Sequence, residues 1–293
     1  MEYITIENKD FPDKLKNIRN SPKRIYAIGN TKLLYEDSFG IIGTRKISEY
    51  GKKVCKYFTK ELALRNIPIV SGLATGTDSI AHIETIENRG KTIAVIGNGF
   101  GHYYPKENEN LYNSIVENDG LIITEYEYNV GALKKNFPKR NRIIAALSEG
   151  ILVIEAAYRS GTSITAHYAI EQGKKVFAIP GLLDNYLGIG VNNLIKEGAI
   201  LTTKVDDILE HYPQFMQKKR ITIHDVQKIN IDVKKEYKDI YNLIRAKNVS
   251  LDELLLEINE DVATTLKKVS NMELIGLIKK LDDGRFCVGD KNG

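Results

Sequence analysis

The sequence predicts an α/β protein, with a Rossmann-like, mostly parallel sheet covered by helices on both faces and a small C-terminal winged-helix-like domain. Three observations carry that expectation. Short apolar runs alternate with longer amphipathic segments through most of the chain. The runs are apolar on both faces, as strands sandwiched between two helical layers must be. Past Tyr212-Pro213 the alternation stops and a basic stretch leads into three helical segments and a hairpin.

Strands are expected at Phe39–Gly43, Ile67–Ser71, Thr92–Gly97, Leu121–Thr124, Ile151–Glu155 and Lys175–Ile179. Helices are expected at Ser48–Arg65, Thr77–Arg89, Glu107–Glu117, Arg140–Leu147 and Ser163–Gln172. The large domain is placed at 1–212, with a lead-in over 1–37. From Pro213 to Lys247 there are nine Lys/Arg against four Asp/Glu, including Lys218-Lys219-Arg220, and 213–232 reads as a basic linker. In the final domain, 233–293, Ser250-Leu251-Asp252-Glu253 has the capping-box pattern of a helix start. Glu260 to Leu274 forms a further helix that Gly276 ends, and Asp282-Asp283-Gly284 suits a hairpin turn.

Bulk properties narrow the class. The chain has 293 residues, 42% hydrophobic and 27% charged, typical of a globular protein with ample core. No apolar run reaches the roughly 18 residues of a membrane span. MEYITIENKDF has no basic segment followed by an apolar one, so no secretory leader is expected. Two distant cysteines, Cys55 and Cys287, point to a reduced, cytoplasmic setting. The net charge of +4 is too mild to indicate a polyanionic partner unless cations are concentrated locally.

In parallel sheets ligands bind at the carboxyl ends of strands. Here those ends carry Gly43-Thr44-Arg45, Ser71-Gly72 running on to Asp78, Gly97-Asn98-Gly99-Phe100-Gly101, and Glu155 running on to Ser160-Gly161-Thr162. Glycine admits close backbone approach, and a helix N-terminus adds partial positive charge. The segment Asn136–Gly150, NFPKRNRIIAALSEG, crowds Lys139, Arg140 and Arg142 at a helix start, just after Lys134 and Lys135. That end of a helix disfavours cations. Either an anion sits there or the cations are solvated. Arg45 either pairs with a carboxylate inside the fold or reaches a phosphate. Phe137, before Pro138 and so expected to be extended, either joins the core or offers a ring to a base. Asp78 is read as a buttress of its loop.

Several chemistries lack their residues. The glycine run after Val95 is not a dinucleotide fingerprint, and no G-x-x-x-x-G-K-[ST] occurs. His82-Ile83-Glu84 has no accompanying P-C-x-x-C, so a zinc deaminase is not indicated. There is no H-E-x-x-H and no G-x-S-x-G. No metal or cofactor is expected.

Taken together, the motifs resemble the DNA-processing protein A family (DprA, also called Smf). They run from Phe11-Pro12-Asp13-Lys14-Leu15, Pro22 and Tyr26-Ala27-Ile28-Gly29 through Gly43-Thr44-Arg45, Ser71–Asp78 and Tyr104-Pro105-Lys106-Glu107-Asn108. Phe137–Ser148, Glu155–Ala166, Pro180-Gly181 and Gly190-Val191-Asn192 complete the series. The resemblance implies a non-catalytic single-stranded DNA-binding protein that protects incoming strands in natural transformation and loads the recombinase RecA. It also implies a homodimer formed through the Rossmann-like domain. By the same carry-over, Arg45 and Lys106 contact phosphates, Lys134 contacts the backbone and Phe137 stacks on a base. Gly43, Thr44, Ser71, Gly72, Ser160, Gly161 and Thr162 complete the expected interface. Arg140 and Arg142 are added to it from charge and position, with internal buttressing as their alternative. Thr77 departs from the family's usual aliphatic residue.

Two further readings compete. A nucleotide-processing enzyme related to the phosphoribohydrolases would use P-G-G-x-G-T-x-x-E, but Thr165 stands where the glutamate belongs and no Pro-Gly precedes Gly161-Thr162. A winged-helix regulator of duplex DNA would need a more basic tail than Lys267 and Lys268 provide.

Overall fold

Strands buried on both faces need neighbours on both edges and helices above and below, and the first part of the chain supplies them. The computed structural model describes residues 2–218, 237–258, 260–274, 277–281 and 283–288. These fall in two units, 1–221 and 222–293.

The first unit is built on strands β1 (Ile4–Glu7), β2 (Arg24–Gly29), β3 (Ser38–Ile42), β4 (Ile69–Ser71), β5 (Thr92–Val95), β6 (Leu121–Thr124), β7 (Ser148–Val153), β8 (Lys175–Ala178) and β9 (Ile200–Leu201). They form a nine-stranded sheet in the order β1-β2-β6-β5-β4-β3-β7-β8-β9. From β6 to β9 every pairing is parallel. The lead-in adds β2 and β1 as an antiparallel edge. Their sequence signal is weak because β1, ITIE, is mostly exposed and carries a short alternating pattern.

Helices α1 (Asp13–Lys16), α2 (Glu49–Ala63), α3 (Thr77–Glu87), α4 (Glu109–Glu117), α5 (Asn136–Leu147), α6 (Gly161–Glu171), α7 (Tyr186–Lys196), α8 (Asp206–Leu209) and α9 (Pro213–Met216) complete the unit. One apolar layer joins Val70, Ile93 and Val153 of the sheet to Ile143, Ile144 and Leu147 of α5 and to Ala166 and Ala169 of α6. Its counterpart on the other face joins Phe39, Ile41, Ile69 and Leu152 to Cys55, Phe58 and Leu62 of α2.

Two expectations are corrected. Helix α5 starts at Asn136, so Phe137 and Pro138 lie in its first turn instead of an extended segment. Proline fits there because first-turn N–H groups have no intrahelical partner to lose. The chain after Tyr212 is also not yet linker. Phe215 in α9 is fully buried, with its ring 5.3 Å from that of Tyr212 and 6.3 Å from that of Phe39. Most of the expected linker, including Lys219-Arg220, lies outside the described residues.

In the second unit, helices Lys238–Ala246, Leu251–Glu257 and Val262–Leu274 precede an antiparallel pair, Ile278–Lys280 with Phe286–Val288. The Ser250 hydroxyl accepts from the Glu253 amide at 3.2 Å, and Glu253 accepts from the Ser250 amide at 2.7 Å, so the capping box is formed. Ile240, Ile244, Val249, Leu254, Met272, Ile278 and Phe286 form the unit's own core. Gly276, expected to end a helix, and Asp282 of the expected turn lie outside the described residues. Among the described residues no helix is long and apolar enough to cross a membrane.

Candidate nucleic-acid interface

Strand order decides where a ligand has room. Strand β3 is laid down first in the parallel set, β4, β5 and β6 extend it on one side, and β7, β8 and β9 on the other. Loops leaving the carboxyl ends of β3 and β7 therefore part in opposite directions, which opens a crevice there.

The centre of that crevice is filled by the chain itself. The Ser48 amide donates to Glu155 Oε2 at 2.9 Å, and the Ser48 hydroxyl donates to Oε1. Ser48 also caps α2 by accepting from the Gly51 amide at 3.0 Å. The helix N-terminus that commonly receives a phosphate thus already holds a buried carboxylate.

Beside the crevice, Arg45 leaves a rigid base. The Thr44 amide donates to the Glu155 carbonyl at 2.8 Å. Thr77 donates to the Thr44 carbonyl through both its amide, 3.2 Å, and its hydroxyl, 3.1 Å. The absent side chain of Gly43 makes room for Thr77, whose hydroxyl a Cβ there would strike. The departure at position 77 is therefore a structural link between two rim loops. The exposed Arg45 guanidinium lies 5.6 Å from the centroid of the Phe137 ring. The Tyr104 ring is 5.1 Å from that of Phe137, inclined by 34°. Phe137 rests on Gly97, where an added Cβ would lie 2.8 Å from its Cδ1. The result is a cation and two aromatic rings in one partly exposed cluster, fixed from below.

Lys106, two residues after Tyr104, and Lys134, three before Phe137, are exposed. Among the described residues no carboxylate forms an ion pair with Arg45, Lys106 or Lys134. At the start of α6, Ser160 caps the helix, accepting from the Ser163 amide at 3.4 Å. Gly161 is exposed, while Thr162 is buried. Asn141 ties this turn to α5, donating to the Gly161 carbonyl at 3.3 Å.

Four other expected contacts lie beneath the surface. Ser71 is fully buried and donates to the Ile41 carbonyl at 2.7 Å. Gly72 is buried against two charges, since a Cβ there would lie 2.7 Å from Asp78 Oδ2 and 2.8 Å from Arg140 Nη2. Arg140 is 4% exposed and donates to the Gly72 carbonyl at 2.7 Å, to the Val95 carbonyl, and to Asn141 Oδ1 at 3.1 Å. Arg142 is 5% exposed, pairs with Glu125 at 2.5 Å and donates to the Asn20 carbonyl at 2.9 Å. Placing Arg140 and Arg142 on the interface is thus corrected: the buttressing alternative is the observed one, because both guanidinium groups spend their donors on internal oxygens. Ser71 and Gly72 likewise bond within the loop framework, and Thr162 is buried.

Burial tunes this floor. It pushes the Asp78 carboxyl above its ordinary range, against the pull of Arg140. Arg140 itself falls to about 10 through burial, offset by Asp78, and stays charged at neutral pH. His82, fully buried with Nδ1 2.7 Å from the Thr92 hydroxyl, is pushed down to about 3 by burial and the Arg140 charge.

Tyr104 and Glu155 are parts of this region whose roles the sequence reading missed. Tyr104 sits in Tyr-Tyr-Pro-Lys, an aromatic pair beside a cation and hence the pattern of a stacking surface. Nothing in the sequence marks Glu155 as the partner of a helix more than a hundred residues upstream.

Comparison with known proteins finds relatives along the first unit. A family model described as DNA recombination-mediator protein A matches residues 2–213. DNA processing protein DprA of Bacillus subtilis (strain 168) is 41% identical over 213 residues, covering 72% of this chain and 71% of that protein. Protein Smf of Escherichia coli (strain K12) is 39% identical over 208 residues, covering 71% of this chain and 56% of the relative. The solved structure of DNA processing protein A from Helicobacter pylori, described as having a unique single-stranded DNA binding mode, superposes with a TM-score of 0.66. It is 30% identical, over 73% of this chain and 96% of that one.

Proposed function

The chain belongs to the DNA recombination-mediator protein A family, and on that premise we propose that it binds single-stranded DNA on the rim around Arg45, Phe137 and Tyr104. The observation that carries this reading is the Arg45–Phe137–Tyr104 cluster, an unpaired cation beside two partly exposed rings. Single strands need cations for phosphates and rings for bases, and stacking tolerates any sequence. Gly43, Thr44, Lys106, Lys134, Ser160 and Gly161 extend the surface.

The role is non-catalytic: the bound strand is protected and handed to a RecA recombinase during recombination or natural transformation. Two groups that an enzyme would recruit are poorly suited to it. Burial pushes the Cys55 thiol up to about 12, so little thiolate forms. His82 is neutral and enclosed. Thr165, at the position a phosphoribohydrolase would give to glutamate, is buried and bonds to the Gly161 carbonyl. The protein acts as a homodimer through its large unit, a reading supported by the exposed apolar side chains of Leu182, Leu183, Tyr186 and Ile189 at the start of α7.

Binding of a fluorescent oligo-dT across a salt series tests the site, with duplex DNA and a mononucleotide alongside. Three or four phosphate contacts give a log–log slope of about −2 to −3, and Arg45→Ala is expected to make it shallower by about 0.7. If the mononucleotide binds and the oligonucleotide does not, the reading is wrong and hydrolysis should be sought.

A further inference from the structure

A second basic surface starts on the same helix. An open cleft of about 1320 Å³ lies between the lead-in and helices α5 and α6. That exceeds the ~300–1,000 Å³ of a small-molecule pocket and suits an extended ligand. Seven of its lining residues are Lys or Arg, against three Asp or Glu. Among the described residues, Arg19 and Lys23 are exposed and in no ion pair. Lys139, 59% exposed and paired on one side with Glu125 at 3.2 Å, also lines the cleft.

The wall carrying Arg19 and Lys23 is held in shape. Arg142, anchored by Glu125 at 2.5 Å, donates to the Asn20 carbonyl. Asn20 takes a left-handed conformation, φ 58°, which asparagine tolerates. The Ser21 hydroxyl donates to the Leu15 carbonyl at 2.8 Å, and the Asn8 side-chain Nδ2 donates to Ser21 Oγ and the Pro22 carbonyl, each at 2.9 Å. Two cations are therefore presented from a braced loop, and none of the three carboxylates lining the cleft, Asp13, Glu125 and Glu171, forms an ion pair with either.

Position links this cleft to the rim. Lys139 follows Phe137 by two residues, about 3 Å along the axis but on nearly the opposite side of α5. A strand stacked on Phe137 reaches the cleft by crossing the helix end, past the exposed Lys134 and Lys135. We propose that the cleft between the lead-in and α5 carries the continuation of the bound single strand, its phosphates held by Arg19, Lys23 and Lys139. The proposal rests on the rim being the primary site and adds a length dependence that the rim alone does not give.

The test compares oligo-dT of about five and about thirty nucleotides on wild type, Arg45→Ala and the double variant Arg19→Glu/Lys23→Glu, each as the full chain. The double variant is expected to bind the short strand as wild type does. It should bind the long one roughly tenfold more weakly, with a slope shallower by about 1.4, two contacts at about 0.7 each. The milder Arg19→Ala/Lys23→Ala should give the same change in slope. Unchanged binding of the long strand, or an equal loss on both lengths, overturns the continuation while the rim stands. Failure of wild type to bind the short strand, or indifference of that binding to Arg45→Ala, overturns the rim and the continuation with it.

Discussion

Arg45 and Arg140 serve neighbouring loops at the same edge of the sheet, and the fold uses them in opposite ways. Arg45 follows Thr44, whose amide and carbonyl are both bonded, and its guanidinium, with no acceptor among the described residues, lies against an aromatic ring. Arg140 meets two strand-end carbonyls, a side-chain amide oxygen and a nearby carboxylate, and disappears beneath Gly72. What separates an uncommitted cation from a structural one is the supply of oxygens within the fold. The rim is an outer layer of uncommitted groups; the floor is an inner layer whose groups are committed to one another.

The comparison breaks most visibly at the floor. Arg140→Ala leaves strand-end carbonyls unpaired and the Asp78 carboxylate without its compensating charge. Removing one partner from such a buried set costs about 3–5 kcal/mol. Urea unfolding should show that loss directly. A variant of unchanged stability that no longer binds DNA would move Arg140 to the rim and erase the distinction.

At the rim, the expected effect falls on binding alone. Phe137→Ala removes about 1–3 kcal/mol per stacked base, roughly a five- to 150-fold weaker complex with oligo-dT. Gly97→Ala sharpens the point, because the new methyl displaces the Phe137 ring without touching a ligand. It should weaken binding less than Phe137→Ala does. Equal affinities for wild type and Phe137→Ala would leave the ring a core residue.

How much of this was legible depends on which force fixed it. The parallel strands were readable because burial on both faces demands uninterrupted apolar runs, as at Ile151-Leu152-Val153. The rim loops were readable because glycine is concentrated at strand ends. The split between rim and floor was not, since it turns on the phase of one helix. Starting α5 at Asn136 puts Phe137, Arg140 and Ile144 on one face by their spacing of three and four, with Lys139 and Arg142 on another. Reading Pro138 as a barrier instead of a first-turn residue hid that phase. Side-chain pairings across long stretches of sequence, such as Ser48 with Glu155 and Asn20 with Arg142, have no local signature. The expected basic linker was misplaced at its start for a similar reason: Phe215 follows a proline in a polar context, and only its aromatic partners reveal that it belongs to the core.

The smallest expected effect concerns the floor's dependence on pH. His82 has no room to ionise, since burial and the Arg140 charge both disfavour a second cation, and the folded group takes up a proton only near about 3. In the unfolded chain it does so near 6.5. Between those values the unfolded state binds the extra proton. The contribution is therefore complete above the unfolded value and is lost as pH falls toward the folded one. From about pH 7 to 5 this amounts to at most about 2 kcal/mol. Denaturant midpoints at the two pH values should fall further for wild type than for His82→Gln, which has no proton to gain. Parallel losses in the two proteins would mean that His82 is already solvated and that the inner layer is more open than its hydrogen bonds imply. The rim offers a matched control, because Phe137→Ala removes no titrating group and should keep the full wild-type slope.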